Sequence, residues 1–134
     1  MLYLAKATNM KKIISTENAP QAIGPYSQAV LTNKTLYCSG QIAINPKTES
    51  LVIDNIENET HQIMQNIQEI LKAADMNFDN IVKCSIFMRD MKDYDEINNI
   101  YSKYFTKNPP AREAVQVSML PKNVNIEISV IATY

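Results

Sequence analysis

The sequence predicts an α+β fold, a mostly antiparallel mixed sheet with two helices packed on one face. Three observations predict it. Two segments carry apolar residues at helical spacing, and several short runs rich in β-branched residues alternate in the manner of strands. The 134 residues also fit one domain and leave little room for two, and the 46% apolar content supports a real core.

Residues 1–9 read as an N-terminal extension, an upstream-start or cloning remnant or a fragment of a targeting segment, because Met10 before Lys-Lys-Ile-Ile-Ser looks like a natural start. Residues 10–134 then form the single domain. A short strand over 13–15 leads. Residues 28–31 and 35–44 are strand-like, joined by a tight Thr-Asn-Lys turn. A polar loop, "NPKTES", follows. Asp54 and Glu57 fit the N-cap and N3 positions of a capping box. Ile56, Ile63, Ile67, Ile70, Leu71 and Ala74 then mark a helix of about 20 residues that ends near 75–77. Residues 81–88 read as a strand. Asp93 and Glu96 repeat the capping pattern before a second stripe of Tyr94, Ile97, Ile100, Tyr101, Tyr104 and Phe105. Pro109 and Pro110 forbid continuation of that helix. Strands at 114–120 and 124–134, joined by Pro-Lys-Asn, complete the chain.

In the last strand Val124, Ile126, Ile128 and Val130 alternate with Asn125, Glu127, Ser129 and Ile131, so the first set meets the helices and the second faces away. In the 35–44 run Leu36, Cys38, Gly40 and Ile42 alternate with Tyr37, Ser39, Gln41 and Ala43. The open face is therefore mixed in character, and a small sheet with such a face pairs with another copy.

Thirteen basic and 14 acidic residues give a net charge of −1, which offers no electrostatic footprint for nucleic acid or an anionic membrane. No apolar run approaches a membrane span. Cys38 and Cys84 form no metal-binding pair and read as reduced core thiols, and no metal site is expected. The single histidine, His61, reads as a solvated helix residue, so no Ser-His-Asp set is expected. The two glycines exclude a glycine-rich phosphate loop. Gly24, in "AIGPYSQAV", suits either a special turn that places a phenol or a plain turn into the first strand. Gly40, inside a strand, marks a bulge, the close approach of a ligand to the backbone, or simple packing. Arg112, after Pro-Pro-Ala at a strand mouth, suits bidentate capture of a small acid or a surface salt bridge. Glu127 suits holding a water or shuttling a proton, or a solvated or interface carboxylate.

The segments "AIGPYSQAV", "SGQIAINPKT" and "NPPAREAVQVSMLPKNVNIEISVIA", with their spacing, closely resemble the RidA family, also called YjgF, from about Lys11 to Tyr134. The resemblance implies a chorismate-mutase-like α+β fold and a homotrimer whose sheets line a central barrel, with clefts between subunits. It implies a hydrolase, a 2-iminobutanoate/2-iminopropanoate deaminase. Such an enzyme converts enamines and imines of the 2-aminoacrylate and 2-aminocrotonate type to 2-keto acids and ammonia. It needs no cofactor, and its substrates come from pyridoxal-phosphate-dependent dehydratases. Arg112 matches the arginine that clamps the substrate carboxylate, Glu127 the acid that positions the attacking water, and Tyr26 the tyrosine of the cleft. Ser39 and Gly40 match residues that line the pocket, and Asn98 an asparagine near the ligand. Many members carry cysteine two residues after the arginine; here it is Ala114, so a thiol role there is absent. The reading places the protein in the cytoplasm, or in an organelle if residues 1–9 belong to a targeting segment. Its alternatives are a trimeric, non-catalytic binder of small carboxylates and, less favoured by the charge, a ribonuclease or translation inhibitor.

Overall fold

A computed structural model describes residues 10–134, so the reading of residues 1–9 as an extension lies outside the described residues. The elements are β1 (Lys12–Ile14), β2 (Ala29–Thr32), β3 (Thr35–Gln41), α1 (Ile56–Ala73), β4 (Ile81–Met88), α2 (Tyr94–Ser102), β5 (Ala111–Gln116) and β6 (Ile126–Thr133). The six strands form one mixed sheet in the order β1-β2-β3-β6-β4-β5. Among the described strands only the neighbours β4 and β5 run parallel. The connection between them passes through α2, the crossover that a parallel pair requires.

Both helices cover one face. Ile63, Ile67, Ile70 and Leu71 of α1 are fully buried against Leu36 of β3 and Ile126, Ile128 and Ala132 of β6. The alternation expected in the last strand is what β6 shows: its even-numbered residues are buried and its odd-numbered residues are half-buried on the open face. Tyr37, Phe87 and Val115 stand on that open face beside the Lys83–Glu113 ion pair of 2.8 Å.

Several local expectations are corrected. Asn55, not Asp54, caps α1: its extended backbone lets its side chain accept from the Asn58 amide at 2.7 Å, while Asp54 accepts from the Asn58 side chain. The Asp93–Glu96 box does not form. A 3₁₀ turn over Met91–Asp93 runs directly into α2, so Asp93 is already helical and its side chain makes no cap bond. Helix α2 stops at Ser102, although Tyr104 and Phe105 still pack on the core through the following turn. Strand β5 begins at Ala111, before the expected start, and ends at Gln116. The β2–β3 turn is a two-residue hairpin turn with Asn33 and Lys34 both in the left-handed region (φ 49° and 64°). That is the turn whose twist suits the flanking strands.

The alternation in β3 also breaks. Cys38 pairs with Val130 and Gln41 with Ile128, so three steps on β3 match two on β6, a β-bulge. Gln41 is thereby turned inward and buried, while Ser39 and Gly40 share the place opposite Ser129.

Candidate functional site

Arg112 is the second residue of β5 and lies opposite Cys84 of β4, which in turn lies opposite the buried Val130 of β6. This register sends the arginine to the helix-covered face. There α2 meets it. The Nη1 group donates to Asn98 Oδ1 at 2.9 Å and Nη2 donates to the Tyr94 hydroxyl at 3.0 Å. The guanidinium carbon stands 4.8 Å from the centre of the Tyr101 ring and 5.7 Å from that of Tyr94. All these partners are neutral, and no described carboxylate forms an ion pair with Arg112. The half-buried fork therefore keeps its charge available for an anion.

Glu127 belongs to the opposite face, paired in register with Phe87. Its carboxylate lies against Gly40 so closely that a Cβ there would stand 2.0 Å from Oε1. A side chain at Gly40 would therefore displace the Glu127 carboxylate, so the close approach at this glycine is that of a side chain of the same protein. Burial pushes the Glu127 carboxyl above its ordinary range. It borders a cavity of about 330 Å³ whose walls include Tyr26, Ser39, Gly40, Ile23, Ile42 and Pro121. The bulge in β3 is what presents Ser39 and Gly40 together to this space. The Ser39 hydroxyl donates to the Ser27 carbonyl at 2.6 Å, which fastens the loop before β2 to β3. Tyr26 sits in a tight turn, its amide bonded to the Gly24 carbonyl at 2.9 Å, and its hydroxyl accepts from the Ile23 amide. The turn does not need Gly24 for its conformation, since Gly24 has no left-handed φ and a Cβ there would make only ordinary contact with Tyr26.

One chain does not bring all the candidate residues together. Arg112 and Asn98 form one group, under α2 at the β5 edge. Tyr26, Ser39, Gly40 and Glu127 form another, around the cavity. Strands β5 and β6 are separated by β4, a lateral distance of about 10 Å, and the two groups use opposite faces of the sheet.

Sequence reasoning missed several residues that shape these groups. Gln28 is buried; its side-chain amide donates to the carbonyls of Thr16, Ala19 and Pro20 and its oxygen accepts from the Thr16 amide, which pins the cavity rim. Glu59 is fully buried and accepts from the Asn125 and Ile126 amides and the Asn125 side chain, so it anchors the start of β6 just before Glu127. A visible sign was its place on the apolar stripe between Ile56 and Ile63. Tyr94 and Tyr101 stand in the sequence only as members of the second apolar stripe, which carries no sign of their contact with Arg112. His61 is not a solvated residue: it is half-buried, and its Nδ1 shares a hydrogen bond with the hydroxyl of Tyr104, in the turn that follows α2. Among the described residues no group of three or more His, Cys, Asp or Glu side chains is placed to share a metal ion. No described helix is long and apolar enough to cross a membrane.

The sequence model of the family described as endoribonuclease L-PSP matches residues 16–134. The chain belongs to this family, the RidA (YjgF) family. Among its RidA relatives is a RutC family protein of Saccharolobus solfataricus, 50% identical over 123 residues that cover 92% of this chain and 98% of the relative. Another is the human 2-iminobutanoate/2-iminopropanoate deaminase, 47% identical over 123 residues, covering 92% of this chain and 90% of the relative. The solved structure of Escherichia coli TdcF with bound serine superposes with a TM-score of 0.88 at 36% identity, covering 92% of this chain and 98% of that one. The RidA fold is thus shared at the level of the whole domain.

Proposed function

We propose that this RidA protein is a hydrolytic deaminase of reactive enamine and imine acids of the 2-aminoacrylate and 2-aminocrotonate type. The products are 2-keto acids and ammonia. The observation that carries the reading is the Arg112 fork, held only by neutral groups and so free to pair with a substrate carboxylate. The human relative bears the name of this activity, and TdcF holds serine, a small amino acid.

The chemistry needs little beyond position. An enamine tautomerises to an imine, whose carbon is electrophilic. Water adds to that carbon: a C–O bond forms, the C=N π pair moves to nitrogen, and the water proton passes to nitrogen. The hydroxyl proton then passes to the amino nitrogen, the C–N bond breaks with its electron pair leaving on ammonia, and the oxygen lone pair closes the C=O bond of the keto acid. Glu127 is the group for the proton transfers, as acceptor from water and donor to the leaving nitrogen. Arg112 fixes the carboxylate and makes the attack a matter of geometry. Because one chain keeps Arg112 and Glu127 apart, we place the complete site in clefts between subunits of a homotrimer, with Arg112 and Asn98 from one copy and Tyr26, Ser39, Gly40 and Glu127 from the next. A pyridoxal-phosphate-dependent dehydratase supplies the substrate, and the protein acts in the cytoplasm.

The test is keto-acid release by limiting serine or threonine dehydratase with and without this protein. Wild-type protein is expected to accelerate release, and Arg112→Ala to abolish the acceleration. Failure to accelerate release from any of several amino-acid precursors would overturn the reading. The second reading, a non-catalytic binder of small carboxylates, is favoured by the serine held in TdcF. Keto-acid binding without turnover would carry it.

A further inference from the structure

Three side chains of helix α2 converge on Arg112. Tyr94, Asn98 and Tyr101 are spaced i, i+4 and i+7, which aligns them along one stripe. Each touches the Arg112 guanidinium differently: Tyr94 by an accepting hydroxyl, Asn98 by an accepting carbonyl, Tyr101 by its ring face. We propose that Tyr94 and Tyr101 are positioning residues that hold the Arg112 fork in the one orientation that receives the substrate carboxylate. The inference rests on the carboxylate-clamp reading above.

The geometry has a physical logic. Arg112 lies on the edge strand β5, where a long side chain has many rotamers. A guanidinium has five N–H donors. Tyr94 and Asn98 take one from each terminal nitrogen, so the turning of the fork is restrained and three donors are left uncommitted among the described residues. The guanidinium carbon lies over the Tyr101 ring, 4.8 Å from its centre, a cation–π contact that adds a third hold on the fork. An acidic residue in any of these places would hold the fork equally well and neutralise it. Phenols and an amide hold it and leave its charge unspent. The Tyr101 hydroxyl itself is buried and makes no hydrogen bond of good geometry, so the ring, not the hydroxyl, is the useful part of that residue.

The test is calorimetric binding of 2-oxobutanoate and of its neutral counterpart, 2-oxobutanamide. Wild type is compared with Tyr94→Phe, Tyr101→Phe, Tyr101→Leu and Arg112→Ala. Tyr94→Phe and Tyr101→Leu are each expected to weaken keto-acid binding by about three- to tenfold. Tyr101→Phe keeps the ring and stays within about twofold of wild type. Amide binding is unchanged in these three variants, which a general loss of structure would not produce. The inference is overturned if Tyr94→Phe and Tyr101→Leu bind the keto acid like wild type while Arg112→Ala does not, or if they weaken both ligands alike. If Tyr101→Leu fails to fold, the Tyr94→Phe comparison alone decides. Arg112→Ala binding like wild type, or wild type binding no keto acid, would overturn the clamp itself and this inference with it.

Discussion

At the scale of single residues, the closest constraint is between Gly40 and Glu127. A methyl group at Gly40 would occupy the space of the Glu127 carboxylate, yet the displaced atoms are the far end of a flexible side chain. Gly40→Ala is therefore expected to cut turnover by at least tenfold while changing the melting temperature little; a coupled dehydratase assay beside a thermal melt reads both. Glu127 also sets a pH dependence. Burial raises its pKa in the folded chain, and the proposed base is the carboxylate, so activity is expected to fall as pH drops through a midpoint above the ordinary carboxylate range. A pH–rate profile of wild type against Glu127→Gln checks it: the variant loses the limb. The thiols behave oppositely to reactive cysteines. Burial pushes Cys38 up to about 12 and raises Cys84 as well. Both should resist an aromatic disulfide reagent at neutral pH in the native protein and react only once it is unfolded.

At the scale of elements, helix ends and strand starts depend on polar groups that hydrophobic pattern does not report. Helix α1 ends in a Schellman arrangement, with the Met76 amide bonded to the Leu71 carbonyl and the Asp75 amide to that of Lys72. Asp75 takes the left-handed position (φ 56°) that glycine fills most cheaply. Asp75→Gly is expected to stabilise the fold by about 0.5–1 kcal/mol, read from denaturant unfolding. The start of β6 depends on Glu59. Its removal leaves three donors, one buried and two partly buried, without their acceptor, so Glu59→Ala is expected to cost about 3 kcal/mol, with a matching drop in the unfolding midpoint. The stripes of α1 and α2 and the alternation of β6 were legible in the sequence, because burial of one face imposes a period. The shift of the α1 cap from Asp54 to Asn55 was not. Two adjacent residues of equal capping ability differ only in which one the tertiary fold leaves extended.

At the scale of the whole molecule, the separation of Arg112 from Glu127 makes a prediction about assembly. If each site joins Arg112 of one subunit to Glu127 of the next, then Arg112→Ala, inactive alone, and Glu127→Gln, reduced to a small residual rate, complement each other when co-assembled. Random mixing in a cyclic trimer leaves about a quarter of the clefts with both groups intact. Denaturing the two variants together and refolding them should recover about that fraction of wild-type activity, while mixing the folded variants should recover none at first. No recovery after refolding would place both groups' work inside one chain. The mixed open face bearing Tyr37, Phe87 and Val115 is the surface available for such assembly.

The sequence by itself determined the α+β class, the two amphipathic helices, the inward set of β6 and the residues worth testing. Those properties follow from local periodicity and from residue chemistry, which need no knowledge of distant partners. Only the tertiary structure decided where the chemistry stands. The bulge that turns Ser39 and Gly40 toward Glu127, the α2 face that grips Arg112, and the two strand widths between these groups all depend on pairing between segments far apart in the chain. A one-residue slip in any of those pairings would reverse the faces, and no local pattern records which register wins.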